Sequence, residues 1–499
     1  MSERRAGIFF SYLNILLHAV IGFLYVPLLL HFIGKNEYGL YQLMGSFIAY
    51  FEVMDFGLSA SVVRFYARYR AKGDTAGAEN ILAFALRGYA AITAFLLAVG
   101  GVLYFFLTDI FTGALSAAEI EEAKEIFLLL LFNIAISFST TPFRAAIQAE
   151  ERFVFLKGME TVQHLLQPVV VILLLMAHPS AFSVALAQTG LNAALAALRV
   201  GYAFRRLHVQ FRYHGMDEAL FREFSRLALS IFFISIIDQI FWKTNQVILG
   251  IISGTAAVAV YSIASIVYMN YMHLSTAISG VYLPHVSQMA ARGEPTEAFS
   301  ALFIRIGRWQ YHLLALVATG FIIFGREFIM LWAGPDFSDA YVMTLLIILP
   351  FTIDLIQNMG NSILQAMNRY DSRAKVLLAV GILNLVLAIP LAKTYGGMGC
   401  AFATGLSMFI GNGLVMNWFY AKKIGLAIGR FWKEIGAITI PAAMVGVMGY
   451  VANAFLPMGV ALIFTFKIVV YMAAYGIVMY VFAFNEDERR KIKGVLKLR

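Results

Sequence analysis

The segment RRLHVQFRYHGMDEALFREFSR, residues 205–226, is the longest connection between apolar segments in this chain of 499 residues. It carries five arginines, and apolar segments lie on both sides of it. A helix needs about 20 apolar residues to cross the ~30 Å hydrocarbon core of a bilayer. Working outward from this connection predicts fourteen transmembrane helices, numbered spans 1 to 14: 8–31, 39–63, 80–107, 125–147, 154–178, 181–204, 227–252, 255–284, 302–325, 340–366, 374–393, 398–420, 433–455 and 458–484.

The composition supports a chain that lies mostly in the bilayer. Hydrophobic residues make up 61% and charged residues 13%, with a mean hydropathy of +0.77. These values exclude a soluble domain and predict an all-α polytopic membrane protein. The net charge of +9 is explained by basic residues beside the anionic inner leaflet, so nucleic acid is not expected as a partner. A single cysteine, Cys400, excludes an intramolecular disulfide and a cysteine-based metal site.

The basic residues alternate along the chain. Most of the 38 Lys and Arg residues lie on every second connection between spans or near the termini. The other connections are neutral or acidic, as at 113–125, where four glutamates accompany Lys124. Cytoplasmic loops carry the excess of Lys and Arg. The pattern therefore predicts a multi-pass protein of the cell (cytoplasmic or inner) membrane with both termini in the cytoplasm.

A weak internal repeat has an offset of about 217 residues. Three pairs of segments match in the same order: 33–41 with 253–261, 146–153 with 363–370, and 187–191 with 403–406. Six spans separate the copies, so both have the same orientation, which is a parallel repeat about an axis along the membrane normal. This predicts an N-lobe at 1–204 (spans 1–6), a cytoplasmic connection at 205–226, a C-lobe at 227–421 (spans 7–12), and a C-terminal part at 422–499 with spans 13 and 14 and a basic tail.

Ionisable residues within spans are functional candidates because inserting them is costly. Span 2 contains Glu52 and Asp55 on one helical face, and span 3 contains Arg87 at a similar depth to Asp55. Two interpretations remain open for Arg87. It forms a buried pair with Asp55, or its long side chain reaches the inner membrane surface. Lys467 in span 14 lies outside the repeat and is a third intramembrane cation beside Arg87 and Lys243.

Polar residues mark four spans as candidates to line a cavity. Span 7 contains Asp238, Lys243, Asn245 and Gln246, and Asp238 aligns with His18 of span 1. Span 10 carries a one-faced stripe of Asp354, Gln357 and Asn358, which aligns with Ser137, Thr140 and Thr141 of span 4. A cavity role is favoured for Asp238, Lys243 and Asp354. Hydrogen bonding between helices is favoured for the span 4 residues.

Several chemistries lack their motifs. The chain has no Walker-type glycine-rich loop followed by Lys-Ser or Lys-Thr, and no His-Glu-x-x-His sequence or Cys/His cluster. No catalytic residues, metal or cofactor are predicted, and the chain is not expected to be an enzyme. Energy for transport is expected from an ion gradient, the membrane potential or the gradient of the substrate.

Short motifs resemble a known family. GKNEYGLY at 34–41, DFGLS at 55–59, Arg64-Phe65, and the QA-x-x-R-F/Y segments after spans 4 and 10 resemble the polysaccharide biosynthesis (O-antigen type) flippases. That family belongs to the multidrug/oligosaccharidyl-lipid/polysaccharide exporter superfamily. The resemblance implies a V-shaped two-lobe fold that moves a polyprenyl-diphosphate-linked oligosaccharide from the inner to the outer leaflet by alternating access. It implies membrane lipids, and polysaccharide polymerase or assembly proteins, as candidate partners.

Candidate residues follow from that implied substrate. A diphosphate within the membrane needs fixed cations, and Arg87, Arg144, Lys243 and Arg308 are the candidates. Asn245, Gln246, Gln357 and Asn358 are candidates for binding the sugars, and Glu52, Asp55, Asp238, Asp354 and His18 for carrying coupling H⁺ or Na⁺. Two alternatives remain open: a multidrug or organic cation antiporter of the same fold, and a membrane-embedded glycosyltransferase or polymerase, which usually needs a sizeable outer loop.

Overall fold

The computed structural model describes the backbone of residues 3–215, 218–456 and 461–496, and side chains there except at 3–12, 15, 16, 18, 19, 218–221, 223–231, 233, 234, 370, 492, 495 and 496. The described chain is built of helices and has no strand. The α-helices are α1 Glu3–Glu52, α2 Leu58–Ala71, α3 Thr75–Phe111, α4 Ala117–Ala149, α5 Phe153–Ala177, α6 Ala181–Arg206, α7 Glu218–Ile252, α8 Thr255–Gly280, α9 Leu283–Ala291, α10 Thr296–Trp332, α11 Asp339–Leu355, α12 Met359–Ala366, α13 Tyr370–Met408, α14 Met416–Phe419, α15 Ile428–Ala454, α16 Ala461–Phe482 and α17 Glu486–Leu496.

The described helices agree with the predicted spans. Eleven helical stretches there are long and apolar enough to cross a membrane. Two of them, Val20–Ala71 and Asp371–Ile424, are each long enough for two spans. The backbone turns within both, at Gly34 (φ 75°) and Gly396 (φ 55°), a region that glycine adopts without steric cost. With α7 in the place of span 7, these helices account for all fourteen spans, and the predicted all-α fold is confirmed.

Two predicted spans are broken. Span 2 is interrupted after α1 by a 3₁₀ turn, Val53–Asp55, and by Phe56 and Gly57 with positive φ, before α2 begins. Span 10 is interrupted between α11 and α12, at residues 356–358. A break leaves backbone groups without helical partners, so it is tolerated at membrane depth only where protein or a wet cavity surrounds it. The breaks lie at Asp55 and at Gln357 and Asn358, which are all predicted site residues.

The chain divides into two compact units, Met1–Ala259 and Val260–Arg499. The predicted C-lobe begins at residue 227, whereas α7 packs within the first unit against α1, α2 and α3. The physical reason is close contact along α1. The Leu43 side chain packs over Gly250, where an added Cβ would lie 2.3 Å from it, and the Ser46 hydroxyl donates a hydrogen bond to Gln246. The parallel repeat itself stays a prediction.

Spans 13 and 14 are α15 and α16 of the second unit, and both pack against α10. Their apolar contact includes Ile323, Phe324, Ile438 and Val445. Within it, the Lys467 ammonium lies 3.1 Å from Glu327 Oε2, and both side chains are buried. Lys467 is therefore a paired structural charge that attaches α16 to α10.

Lys467→Met leaves the Glu327 carboxylate buried without its ammonium partner. Breaking a buried pair on one side costs about 3–5 kcal/mol, whereas replacing both partners with apolar residues is close to neutral. We expect the single variant to unfold at markedly lower denaturant, and Lys467→Met/Glu327→Met to recover most of the loss. Denaturant titration of detergent-purified protein, followed by far-UV circular dichroism, measures both. Equal stability of the single variant and wild type would contradict a structural role.

Candidate functional site

A cavity of about 760 Å³ opens within the first unit. Its walls come from the break in span 2 and from α2, α4, α5 and α6, and they are rich in groups that form hydrogen bonds. The polar lining residues are Glu52, Asp55, Ser59, Asn133, Ser137, Thr141, Arg144, Gln148, Gln163, Gln188 and Asn192. The volume lies in the range of pockets that enclose small organic ligands.

The break in span 2 positions Asp55 at the cavity wall. Tyr89 donates a hydrogen bond to Asp55 Oδ1, and Ser59 Oγ donates to Oδ2 at 3.0 Å. The pair of Asp55 with Arg87, one of the two predicted possibilities, is not formed. The exposed Arg87 guanidinium lies 4.3 Å from the centre of the Tyr213 ring, outside the cavity lining. This contact corresponds to the alternative in which Arg87 reaches the membrane surface.

Glu52 and Lys243 form an electrostatic link between two helices. Glu52 is the last residue of α1 and lines the cavity, while Lys243 is half-buried on α7. They form no salt bridge in the described part of the chain, so their opposite charges act on each other only at longer range. One of the predicted cations and one of the predicted carboxylates are therefore brought together at the edge of the cavity.

Arg144 belongs to a group of cations around one carboxylate. Its Nη2 lies 3.6 Å from Glu160 Oε1, and Lys157 Nζ lies 2.7 Å from Glu160 Oε2. Arg199 on α6 interacts electrostatically with both Arg144 and Glu160. Sequence reasoning counted Lys157 and Arg199, near the inner ends of spans 5 and 6, among the basic residues of the cytoplasmic side and missed their place beside Arg144. Because three cations share Glu160, this group carries surplus positive charge.

The polar residues of α4 have two roles. Asn192 Nδ2 on α6 donates to Ser137 Oγ at 2.9 Å, so the predicted hydrogen bonding between helices is present at Ser137. Ser137 and Thr141 also line the cavity, whereas Thr140 Oγ1 donates to the carbonyl of Ile136 at 2.8 Å. The α4 stripe thus joins helices and presents hydroxyl groups to the cavity.

The predicted residues of α7 are dispersed. Asn245 and Gln246 are buried in the first unit and do not line the cavity, and Gln246 accepts a hydrogen bond from Ser46 of α1. Asp238 is exposed. The side chain of His18 lies outside the described residues.

The predicted residues of the second unit contact other helices. Arg373 Nη2 lies 3.1 Å from Asp354 Oδ1, a partner that sequence reasoning placed in a cytoplasmic connection. Gln357 donates to Asn417 and Asn358 donates to Ser279, both at 2.9 Å. Arg308 is buried and binds Glu434 and Glu488, so its guanidinium is already neutralised.

One end of the first unit is tightly closed. The carbonyl oxygen of Thr255, the first residue of α8, lies so near Gly39 that an added Cβ would be 2.0 Å from it. Thr255 Oγ1 also donates to Glu119 at 2.8 Å. Gly39 is the first residue of predicted span 2, and Glu119 lies in the acidic connection at 113–125. The charge pattern assigns both positions to the outer side of the membrane, so this closed end is the predicted outer end.

Comparison with known proteins identifies relatives along the chain. Residues 5–290 match the sequence family described as polysaccharide biosynthesis protein. An uncharacterised membrane protein of Bacillus subtilis, EpsK, is 22% identical over 416 residues, 82% of this chain and 81% of that protein. The probable low-salt glycan biosynthesis flippase Agl15 of Haloferax volcanii is 26% identical over 203 residues, 40% of this chain and 42% of that protein.

Solved structures share the fold. The lipid II flippase MurJ in an inward closed conformation superposes with a TM-score of 0.74 at 16% identity, covering 95% of this chain and 98% of that chain. An inward-facing MATE transporter of the MOP superfamily superposes with a TM-score of 0.64 at 13% identity, covering 84% of this chain and 95% of that chain. At these identities the likeness concerns the fold alone, and it agrees with the predicted superfamily architecture.

Gly39→Ala tests the closed end, because the added Cβ meets a backbone oxygen that cannot rotate away. Overpacking costs about 1–3 kcal/mol, and we expect the upper part of that range. Gly45→Ala in the same helix is the matched control, since nothing lies within 4 Å of the position that its Cβ would occupy and alanine favours a helix by up to about 1 kcal/mol. The free energy of unfolding in detergent is measured for both variants. Equal values would disprove close packing at Gly39.

Proposed function

The chain belongs to the polysaccharide biosynthesis protein family, and we propose that it is a flippase for a polyprenyl-diphosphate-linked oligosaccharide. In this proposal the head group passes from the cytoplasmic to the outer leaflet through the cavity of the first unit, while the polyprenyl chain stays in lipid. The observation that carries the proposal is a polar cavity inside a multi-pass membrane protein, with Arg144 at its wall as part of a group of cations around Glu160. Relatives named as probable flippases support it.

The cations around Glu160 suit the diphosphate. Arg144 has an exposed guanidinium at the cavity wall, with 56% of its side chain accessible, so it can bind an oxyanion without first leaving a buried pair. A guanidinium binds phosphate oxygens in a bidentate manner, and Lys157 adds a point charge. The 3.6 Å distance from Arg144 to Glu160 is a loose contact that an arriving diphosphate displaces at small cost.

The carboxamides of the cavity suit the sugars. Asn133, Gln148, Gln163, Gln188 and Asn192 all line it. Each carboxamide offers a carbonyl acceptor and an amino donor, which match the hydroxyl groups of a glycan in either hydrogen-bonding role. These five residues replace Asn245, Gln246, Gln357 and Asn358 as the proposed sugar-binding groups.

The link between Glu52 and Lys243 suits a coupling step. The closed end at Gly39 and Thr255 would have to separate for release on the outer side, and this moves α7 relative to α1. Protonation of Glu52, or binding of Lys243 to the diphosphate, removes one attraction between α1 and α7 and leaves their packing contacts to separate. Alternating access driven by a proton gradient follows as the proposed cycle.

Arg144→Gln removes the proposed diphosphate contact, and we expect transport of a defined lipid-linked oligosaccharide in proteoliposomes to fall at least about tenfold, as for a lost charge-assisted bond. Arg87→Gln is the matched control, because Arg87 lies against Tyr213 outside the cavity, and its rate should stay near wild type. Equal losses would contradict the assignment of the cavity. Failure of wild type to move any such lipid would refute the flippase.

Glu52→Gln removes the proposed proton carrier while keeping its shape. We expect the stimulation of transport by an imposed pH gradient to disappear in this variant. It should persist in Glu121→Gln, whose carboxylate is 72% exposed and pairs locally with Lys124. The measurement is the flipping rate in liposomes with a pH gradient, a Na⁺ gradient or neither. Stimulation by Na⁺ alone in wild type would assign the coupling to Na⁺ and reject the proton.

An organic cation antiporter is the second candidate, because the carboxylates of Glu52 and Asp55 also line the cavity. The same proteoliposomes distinguish the two functions. Export of an organic cation without movement of the lipid-linked oligosaccharide would favour the antiporter.

A further inference from the structure

A separate cavity of about 500 Å³ lies in the second unit, and none of its residues belongs to the proposed glycan site. Its walls come from α9, α10, the start of α15 and the start of α17. These segments all adjoin connections that the charge pattern assigns to the cytoplasm. The charged and titratable lining residues are His285, Arg305, Arg308, Arg430, Glu434, Asp487, Glu488 and Lys491.

Two of the three carboxylates in this cavity, Glu434 and Glu488, bind Arg308. Arg308 donates from Nε to Glu488 Oε1 at 2.8 Å, from Nη2 to Glu488 Oε2 at 2.7 Å and from Nη1 to Glu434 Oε2 at 2.8 Å. Burial alone would raise the pKa of Glu488, but the His312 ring at 3.6 Å and hydrogen bonds from Arg308 and the backbone N–H of Asn485 outweigh it and lower the pKa to about 2. Glu488 therefore stays ionised at neutral pH and neutralises Arg308.

The remaining cations are not balanced. Arg305, Arg430 and Lys491 line the cavity, are exposed, and form no ion pair in the part of the chain that the structure describes. Asp487 is the one carboxylate of the lining that Arg308 does not bind. Three cations from three different helices thus converge on one open cavity, whose whole lining carries four cations and three carboxylates, and His285 adds a further donor.

We propose that this cavity binds a phosphate-bearing anion from the cytoplasmic side. Two guanidinium groups and an ammonium are the groups that hold phosphate oxygens, and a basic pocket between transmembrane helices at the inner surface suits the head group of an anionic lipid. The pair of Arg308 with Glu488 fixes α17 as one wall, which brings Lys491 to the site. Asn485 supports that wall, since its side chain accepts from the Glu488 N–H at 2.9 Å.

The test compares two triple variants of the full chain. Arg305→Gln/Arg430→Gln/Lys491→Gln neutralises the proposed site and leaves Arg308 and its partners intact. Lys72→Gln/Arg292→Gln/Lys375→Gln is the matched control, because it removes the same charge from exposed positions on predicted cytoplasmic segments outside this cavity. Retention of phosphatidylglycerol is measured by native mass spectrometry from mixed micelles. Binding of inorganic phosphate and of diphosphate is measured by calorimetry.

We expect wild type and the control to bind alike, and the site variant to bind at least about tenfold more weakly. Binding of phosphatidylglycerol alone assigns the site to a lipid head group, and binding of the inorganic anions assigns it to a soluble phosphate ligand. Either result supports the proposal. No binding by wild type, or the same loss in both triple variants, overturns it. Transport is not needed for this readout, so failure of the flippase proposal would leave the result interpretable.

Discussion

The hydrocarbon core of a bilayer offers no water to backbone N–H and C=O groups, and each unsatisfied group costs several kcal/mol there. This constraint explains why the described chain consists of helices joined by short connections. It also requires polar partners at the two breaks in the helices, after Glu52 and after Leu355. The first break exposes Asp55 to a polar cavity, and the second brings Gln357 and Asn358 into hydrogen bonds with neighbouring helices. Irregular backbone occurs where polar partners are at hand.

The same constraint separates two kinds of charge. Lys467 with Glu327, Arg373 with Asp354, and Arg308 with Glu488 are paired at salt-bridge distance, so they hold helices together. Other cations share too few carboxylates, as around Glu160 in the first unit. A protein that places surplus positive charge beside a cavity accepts electrostatic repulsion there, and an anionic ligand relieves it.

The sequence predicts well what depends on local composition. Spans 13 and 14 follow from apolar length alone, and the position of Lys467 in span 14 identified it as a cation within the membrane. Its partner Glu327 lies 140 residues away, and no local pattern indicates which distant helix packs on α16. One of the two interpretations of Arg87, a pair with Asp55, assumed equal depth on straight helices, but the break at Phe56 and Gly57 turns the chain, and Tyr89 donates to Asp55 instead. Arg199 and Lys157 were missed because the excess of basic residues on the cytoplasmic side already accounted for them, so they were not considered as site residues.

The pairing of Arg308 has a consequence for biosynthesis. Its two carboxylate partners follow it by 126 and 180 residues along the chain. At roughly 5–20 residues per second of translation, α10 enters the membrane about 10–40 s before Glu488 is made. Until Glu434 is made, the ribosome-bound chain carries an uncompensated guanidinium, which favours a position near the lipid surface, and the second carboxylate follows 54 residues later. The Arg308 ion-pair group of the second unit is therefore complete only after α17 has been made.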